Sequence, residues 1–201
     1  MEIINQQTPQ QILINFCRRL YKKNLITTLT GNISMLVEKN IYITPTSKDK
    51  ANLIPEDIAI LDIYGNIIKA KAGVSIEKDI HVGIYYQRKD IKGIIHAHPF
   101  WSSLLCFTDF TLLTNVLEES FYLLKKIEFV EYNPSGSFNL AKDVVDKSYN
   151  SDLIILKNHG IFCLGTSLCD ALNKLEILEK TVFYSFLVKF FKLNYFPLKK
   201  L

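Results

Sequence analysis

The sequence has no pair of cysteines at C-x-x-C spacing, although it holds four: Cys17, Cys106, Cys163 and Cys169. That excludes the common zinc-cluster pattern. No secretory signal precedes them, so a disulfide framework is not expected and a reducing cytoplasm is the natural compartment. Cys17 and Cys106 sit among apolar neighbours and read as buried thiols. No stretch reaches the ~18–20 uninterrupted apolar residues of a membrane span. The greasiest, Thr181 to Pro197, is interrupted by Lys189 and Lys192 and reads as core or subunit packing. There is no repeat, no low-complexity tract and no Pro/Gly-rich linker, so one domain over residues 1–201 is the simplest organisation. A concentrated basic face is also missing. The net charge is +4, and its lysines and arginines are scattered in short pairs such as Arg18-Arg19 and Lys125-Lys126. A nucleic-acid binder gathers that charge on one face; a mildly positive surface still suits a small anionic substrate.

What is present alternates between the two regular periods. Thr8-Pro9 signals a helix start, followed by Ile12, Leu13, Phe16 and Leu20 at helical spacing, with Asn24 as its end. Strands are expected at 33–37 and 40–44, then 58–63 and 67–68 around a Tyr64-Gly65-Asn66 turn. Ser75 should cap a helix to Arg88, with Ile80, Ile84 and Tyr85 inward. A strand from Ile91 to His96 follows, and Pro99 permits a helix through Leu105. Further helices are expected at 116–124, 140–147 and 167–190, and strands at 127–130, 153–156 and 161–164. So many hairpin-linked strands predict a mainly antiparallel sheet covered by helices on its two faces.

Chemistry concentrates in a few places. In His96-Ala97-His98 the two imidazoles fall at i and i+2, on one face of a strand end, where both can reach one ion. His159, in the Asn158-His159-Gly160 turn, can complete the three-ligand set of an open catalytic metal site. Each is equally readable alone as an ordinary surface histidine. Glu77, at the start of a predicted helix, is either a capping carboxylate or a general acid/base. His81, one turn further, is a partner of that site or a surface residue. Thr30-Gly31-Asn32-Ile33-Ser34 and Thr44-Pro45-Thr46-Ser47-Lys48 offer hydroxyls and free amides that can cradle a phosphate, or are ordinary turns.

In this order, Thr30-Gly31-Asn32, Ile43-Thr44-Pro45-Thr46, Ser75-x-Glu77, His96-x-His98-Pro99 and Asn158-His159-Gly160 resemble the class II aldolase/adducin family, over about residues 8–190. The resemblance implies an α/β fold: a three-layer αβα sandwich around a mainly antiparallel central sheet, assembled as a homotetramer. It implies a divalent metal, usually zinc, on His96, His98 and His159, with Glu77 as catalytic acid/base. Gly31, Asn32, Thr44 and Ser75 match positions that hold the substrate phosphate. The implied reaction is cleavage of a small ketose phosphate through a metal-stabilised enediolate. Two alternatives within the family are methylthioribulose-1-phosphate dehydratase and a non-catalytic adducin-like interaction module; the latter loses the metal histidines, which are present here. Departures from the pattern are Ile76, where many aldolases carry a second serine, and Ser47, where glycine is common. The family's proton-donating tyrosine, supplied by a neighbouring subunit, falls near 114–122, where Tyr122, Glu118 and Glu119 are candidates.

Overall fold

A computed structural model describes residues 7–199. Helix α1 (Pro9–Lys22) opens on a capping box: the Thr8 hydroxyl accepts the Gln11 amide and the Gln11 side chain accepts the Thr8 amide. Such a cap stabilises a helix by about 1 kcal/mol. Strands β1 (Asn32–Val37), β2 (Asn40–Ile43), β3 (Ala59–Asp62) and β4 (Ile67–Lys69) follow as antiparallel neighbours. Next come α2 (Lys78–Gln87), β5 (Gly93–Ala97), α3 (Leu104–Phe107), α4 (Glu118–Leu123), β6 (Ile127–Val130), α5 (Phe138–Ser148), β7 (Leu153–Leu156), β8 (Ile161–Gly165) and α6 (Leu168–Phe190). The eight strands form one sheet in the order β4-β3-β2-β1-β5-β8-β7-β6, antiparallel except for β6 beside β7. The expected mainly antiparallel α/β architecture is therefore present.

Alternation along the strands divides the core in two. Ile33, Ile95, Ile155 and Cys163 pack with α1 and α6, whereas Ile94, Ile154, Phe162 and Leu164 pack with α2 and α5. Cys17 and Cys106 are buried as expected, and burial pushes both thiols up to about 12, so they stay protonated and inert.

Two expected elements differ. The helix assigned from Ser75 begins only at Lys78. The Ser75 hydroxyl accepts the Glu77 amide at 3.2 Å, a local turn that competes with helix. The helix expected after Pro99 is a run of turns, one i to i+4 and three i to i+3, ending in the single turn α3. There Glu179 of α6 accepts the Trp101 and Ser102 amides at 2.7 Å each, so a tertiary contact sets the local path. No described helix is long and apolar enough to cross a membrane.

Candidate active site

The site lies where β1, β5 and the β7–β8 hairpin meet the start of α2. His96 is the penultimate residue of β5, paired across to Asn32 on one side and Phe162 on the other. Its ring stacks on Phe162 with centroids 4.3 Å apart. The i, i+2 spacing brings His98 to the same cavity, and the hairpin turn delivers His159. His98 Nε2 lies 3.2 Å and His159 Nε2 3.3 Å from His96 Nε2. These match the edge of about 3.3 Å in a tetrahedral site with metal–nitrogen bonds of about 2.05 Å.

The turn comes this close because residue 160 is glycine. A Cβ there would lie 2.8 Å from the Ala97 carbonyl, 3.0 Å from His96 Cε1 and 3.2 Å from His98 Nε2. Gly31 is comparably constrained: it has φ +77°, and a Cβ would meet the His96 carbonyl at 2.9 Å.

The donor set suits a divalent cation. His96 Nδ1 faces the Ile161 carbonyl at 3.3 Å, which keeps the proton on Nδ1 and leaves the Nε2 lone pair toward the cavity. Burial, and then the neighbouring imidazoles, hold His96 well below its ordinary range. Burial first, with His159, takes His98 down to about 4. Imidazole nitrogens that converge this closely form a three-ligand set for one divalent ion. Among the described residues, these three histidines are the group placed to hold a metal.

Glu77 joins them. It occupies the N-cap position of α2 but makes no capping bond; its carboxylate turns into the cavity instead. Oε2 lies 3.4 Å from His96 Nε2 and Oε1 3.6 Å from His159 Nε2. Oε2 accepts the Asn32 amide at 2.7 Å, while Oε1 is buried without a hydrogen-bond partner.

The cavity holds about 350 Å³ and is lined by all three histidines, Glu77, Gly31, Asn32 and Ser75. Thr44 is not at its wall: it is fully buried and its hydroxyl accepts the Ile33 amide at 3.1 Å, tying β2 to β1. Ile76 is on the wall, as its place in the motif suggested. Tyr122, Glu118 and Glu119 are not; Tyr122 is exposed and Glu119 pairs with Lys180.

Two polar wall residues are not among the site residues expected from the sequence. Ser135 Oγ lies 3.5 Å from His159 Nε2. Lys50 is buried, with Nζ donating at 3.0 Å to the Pro45 and Lys48 carbonyls and the Asp49 charge nearby. Burial lowers its affinity for the proton. A lysine in a charged run ordinarily reads as solvated surface; only its burial marks it.

A family model described as Class II Aldolase and Adducin N-terminal domain matches residues 11–184. The chain belongs to this family. It is 41% identical over 169 residues to an L-fuculose phosphate aldolase of Methanocaldococcus jannaschii, covering 83% of this chain and 90% of that one. It is 25% identical over 191 residues to a 3-oxo-tetronate 4-phosphate decarboxylase of Haemophilus influenzae, covering 92% and 90%. Among solved structures, an L-fuculose 1-phosphate aldolase superposes with a TM-score of 0.80 at 27% identity, over 95% of this chain and 90% of that one. In this class II aldolase and adducin domain the three convergent histidines and the glutamate stand together, as an interaction module would not require.

Proposed function

We propose that this chain is a metal-dependent aldolase that cleaves a small ketose phosphate through an enediolate. The convergence of His96, His98, His159 and Glu77 on one cavity of about 350 Å³ carries the reading. The three histidines would hold the divalent ion, zinc in this reading. When bound, the ion supplies Lewis acidity against the negative charge that develops on the substrate oxygens.

The chain's own groups do the rest. In this reading Gly31, Asn32, Ser75 and the buried Lys50, which line the cavity, would hold the substrate phosphate. In this reading a dianionic phosphate pairs with this ammonium, and anchoring it fixes the orientation of the reacting carbons. Glu77 Oε1, the free oxygen, faces the cavity. As the C3–C4 bond breaks, its electron pair passes into the enediolate, and Glu77 delivers a proton to C3. The proton released from the C4 hydroxyl goes to a group of a neighbouring subunit, from the segment that contains Glu118, Glu119 and Tyr122. In this reading the chain assembles as a homotetramer and this segment, which does not line its own chain's cavity, reaches a neighbour's. In this reading the two cores make a three-layer αβα sandwich, and the enzyme works in the cytoplasm.

The test is turnover of L-fuculose 1-phosphate by the zinc-loaded chain. Two three-carbon fragments, a hydroxyketone phosphate and an aldehyde, are expected. Release of carbon dioxide from a 3-oxo acid phosphate, or of water from a methylthioribulose phosphate, with no fragment formation from any ketose phosphate, would replace the aldolase reading.

A further inference from the structure

Behind Glu77 runs a chain of buried polar groups. Asn32 Nδ2 lies 2.7 Å from Glu77 Oε2. Asn32 Oδ1 lies 2.5 Å from His81 Nε2. His81 Nδ1 lies 2.7 Å from Ser34 Oγ, and Ser34 Oγ lies 2.8 Å from the Tyr85 hydroxyl. His81, Ser34 and Tyr85 have no exposed surface, and Asn32 and Glu77 have 8% and 4%.

The direction of every bond follows from one end. A carboxylate only accepts, so the Asn32 nitrogen must face Oε2 and donate. The Asn32 carbonyl then faces His81 and can only accept, so the proton of His81 is on Nε2. Its Nδ1 is the acceptor of the Ser34 hydroxyl proton, and Ser34 in turn accepts from Tyr85. Burial favours this neutral ring, pushing His81 down to about 3. All four bonds therefore point toward Glu77.

We propose that His81 is a positioning residue: as its neutral Nε2–H tautomer it locks the Asn32 amide, which holds Glu77 Oε2 as a permanent acceptor and leaves Oε1 as the oxygen that takes and gives the proton. This rests on the reading of Glu77 as the acid/base group. Without the imidazole donor, the Asn32 amide can rotate, and the carboxylate loses the bond that fixes which oxygen faces the substrate. Such a buried network specifies one orientation because each reversed member would leave a neighbour unsatisfied.

Nitrogen-15 NMR of the zinc-loaded, histidine-labelled chain reads the tautomer directly. His81 should show a protonated Nε2 and an unprotonated Nδ1, unchanged from pH 8 to pH 5.5; an Nδ1–H form or a cation would overturn the proposal. Kinetics with L-fuculose 1-phosphate test the consequence. In His81→Phe, kcat should fall at least tenfold with KM within twofold and metal content unchanged, and His81→Gln, which keeps a donor, should recover part of the loss. Ser34→Ala is the milder variant if His81→Phe does not fold; it removes the donor to Nδ1 and should lower kcat by a smaller factor without touching the cavity wall. Unchanged kcat in these variants, while Glu77→Gln is inactive, would sink the positioning role and leave the acid/base reading standing. Retained cleavage in Glu77→Gln would sink that reading itself.

Discussion

The side-chain amide of Asn32, in a motif that resembles a phosphate loop, is spent on Glu77: its nitrogen donates to Oε2 at 2.7 Å across 45 residues of sequence. The first strand and the start of the second helix are thereby joined at the reacting group. The carboxylate enters a pocket of imidazoles with one oxygen fixed and the other free.

Glu77→Gln keeps the shape and still accepts from Asn32 through its carbonyl oxygen, but it cannot carry the proton. General acid/base groups contribute about 10²–10⁴-fold in rate. A loss of that size in kcat is expected, with zinc content and circular dichroism unchanged. Cleavage at the parent rate would remove Glu77 from the chemistry.

Metal content per chain, measured by elemental mass spectrometry on untagged protein, should approach one and fall toward zero in His96→Ala. Because an ion bound at 100 times its Kd stabilises the folded state by about 2.7 kcal/mol, added zinc should raise the Tm of the parent and not of the variant. Equal Tm shifts in both would place the ion elsewhere.

Gly160→Ala puts a methyl group 2.8 Å from the Ala97 carbonyl and 3.2 Å from His98 Nε2. The first neighbour is backbone and cannot swing away, so the hairpin must retreat. A stability loss of about 1–3 kcal/mol is expected, the usual cost of overpacking, with weaker zinc retention during dialysis. Parent-like zinc affinity would show that the turn's closeness does not shape the site.

Lys50→Met should weaken phosphate recognition. A hydrogen bond to a charged group is worth about 1.5–3 kcal/mol, or roughly a 10–100-fold rise in KM for a phosphorylated ketose, with weaker inhibition by inorganic phosphate. A KM unchanged from the parent would confine Lys50 to tying its own loop through Pro45 and Lys48.

The buried His81 also makes the fold sensitive to acid. Its folded value, about 3, lies below the ordinary 6.5, because burial penalises the cation. Well above pH 6.5 neither folded nor unfolded chain binds this proton, and His81 adds no pH dependence. As pH falls further, the unfolded chain takes up a proton that the folded one refuses until about pH 3, so stability declines across that window. Between pH 7 and pH 5 this amounts to about 2 kcal/mol. Urea midpoints at the two pH values should therefore differ by less in His81→Gln than in the parent. Equal differences would mean that other groups carry the acid sensitivity.

The sequence by itself determined the period of most elements, because burial imposes alternation on strands and 3.6-residue spacing on helices. It also determined the metal-ligand candidates, because an H-x-H at a strand end and a histidine in a glycine turn have few ways to meet. Tertiary contacts decided the rest. Ser75 fails to start its helix because its hydroxyl holds the Glu77 amide. The segment after Pro99 stays in turns because Glu179, 78 residues away, takes the Trp101 amide. Thr44 leaves the cavity for a backbone bond, and Lys50 enters it from a run of charges. Nor could any local pattern settle whether His81 faces solvent or Asn32. That choice belongs to hydrogen bonds between residues far apart in sequence, made only once β1 and α2 have packed together.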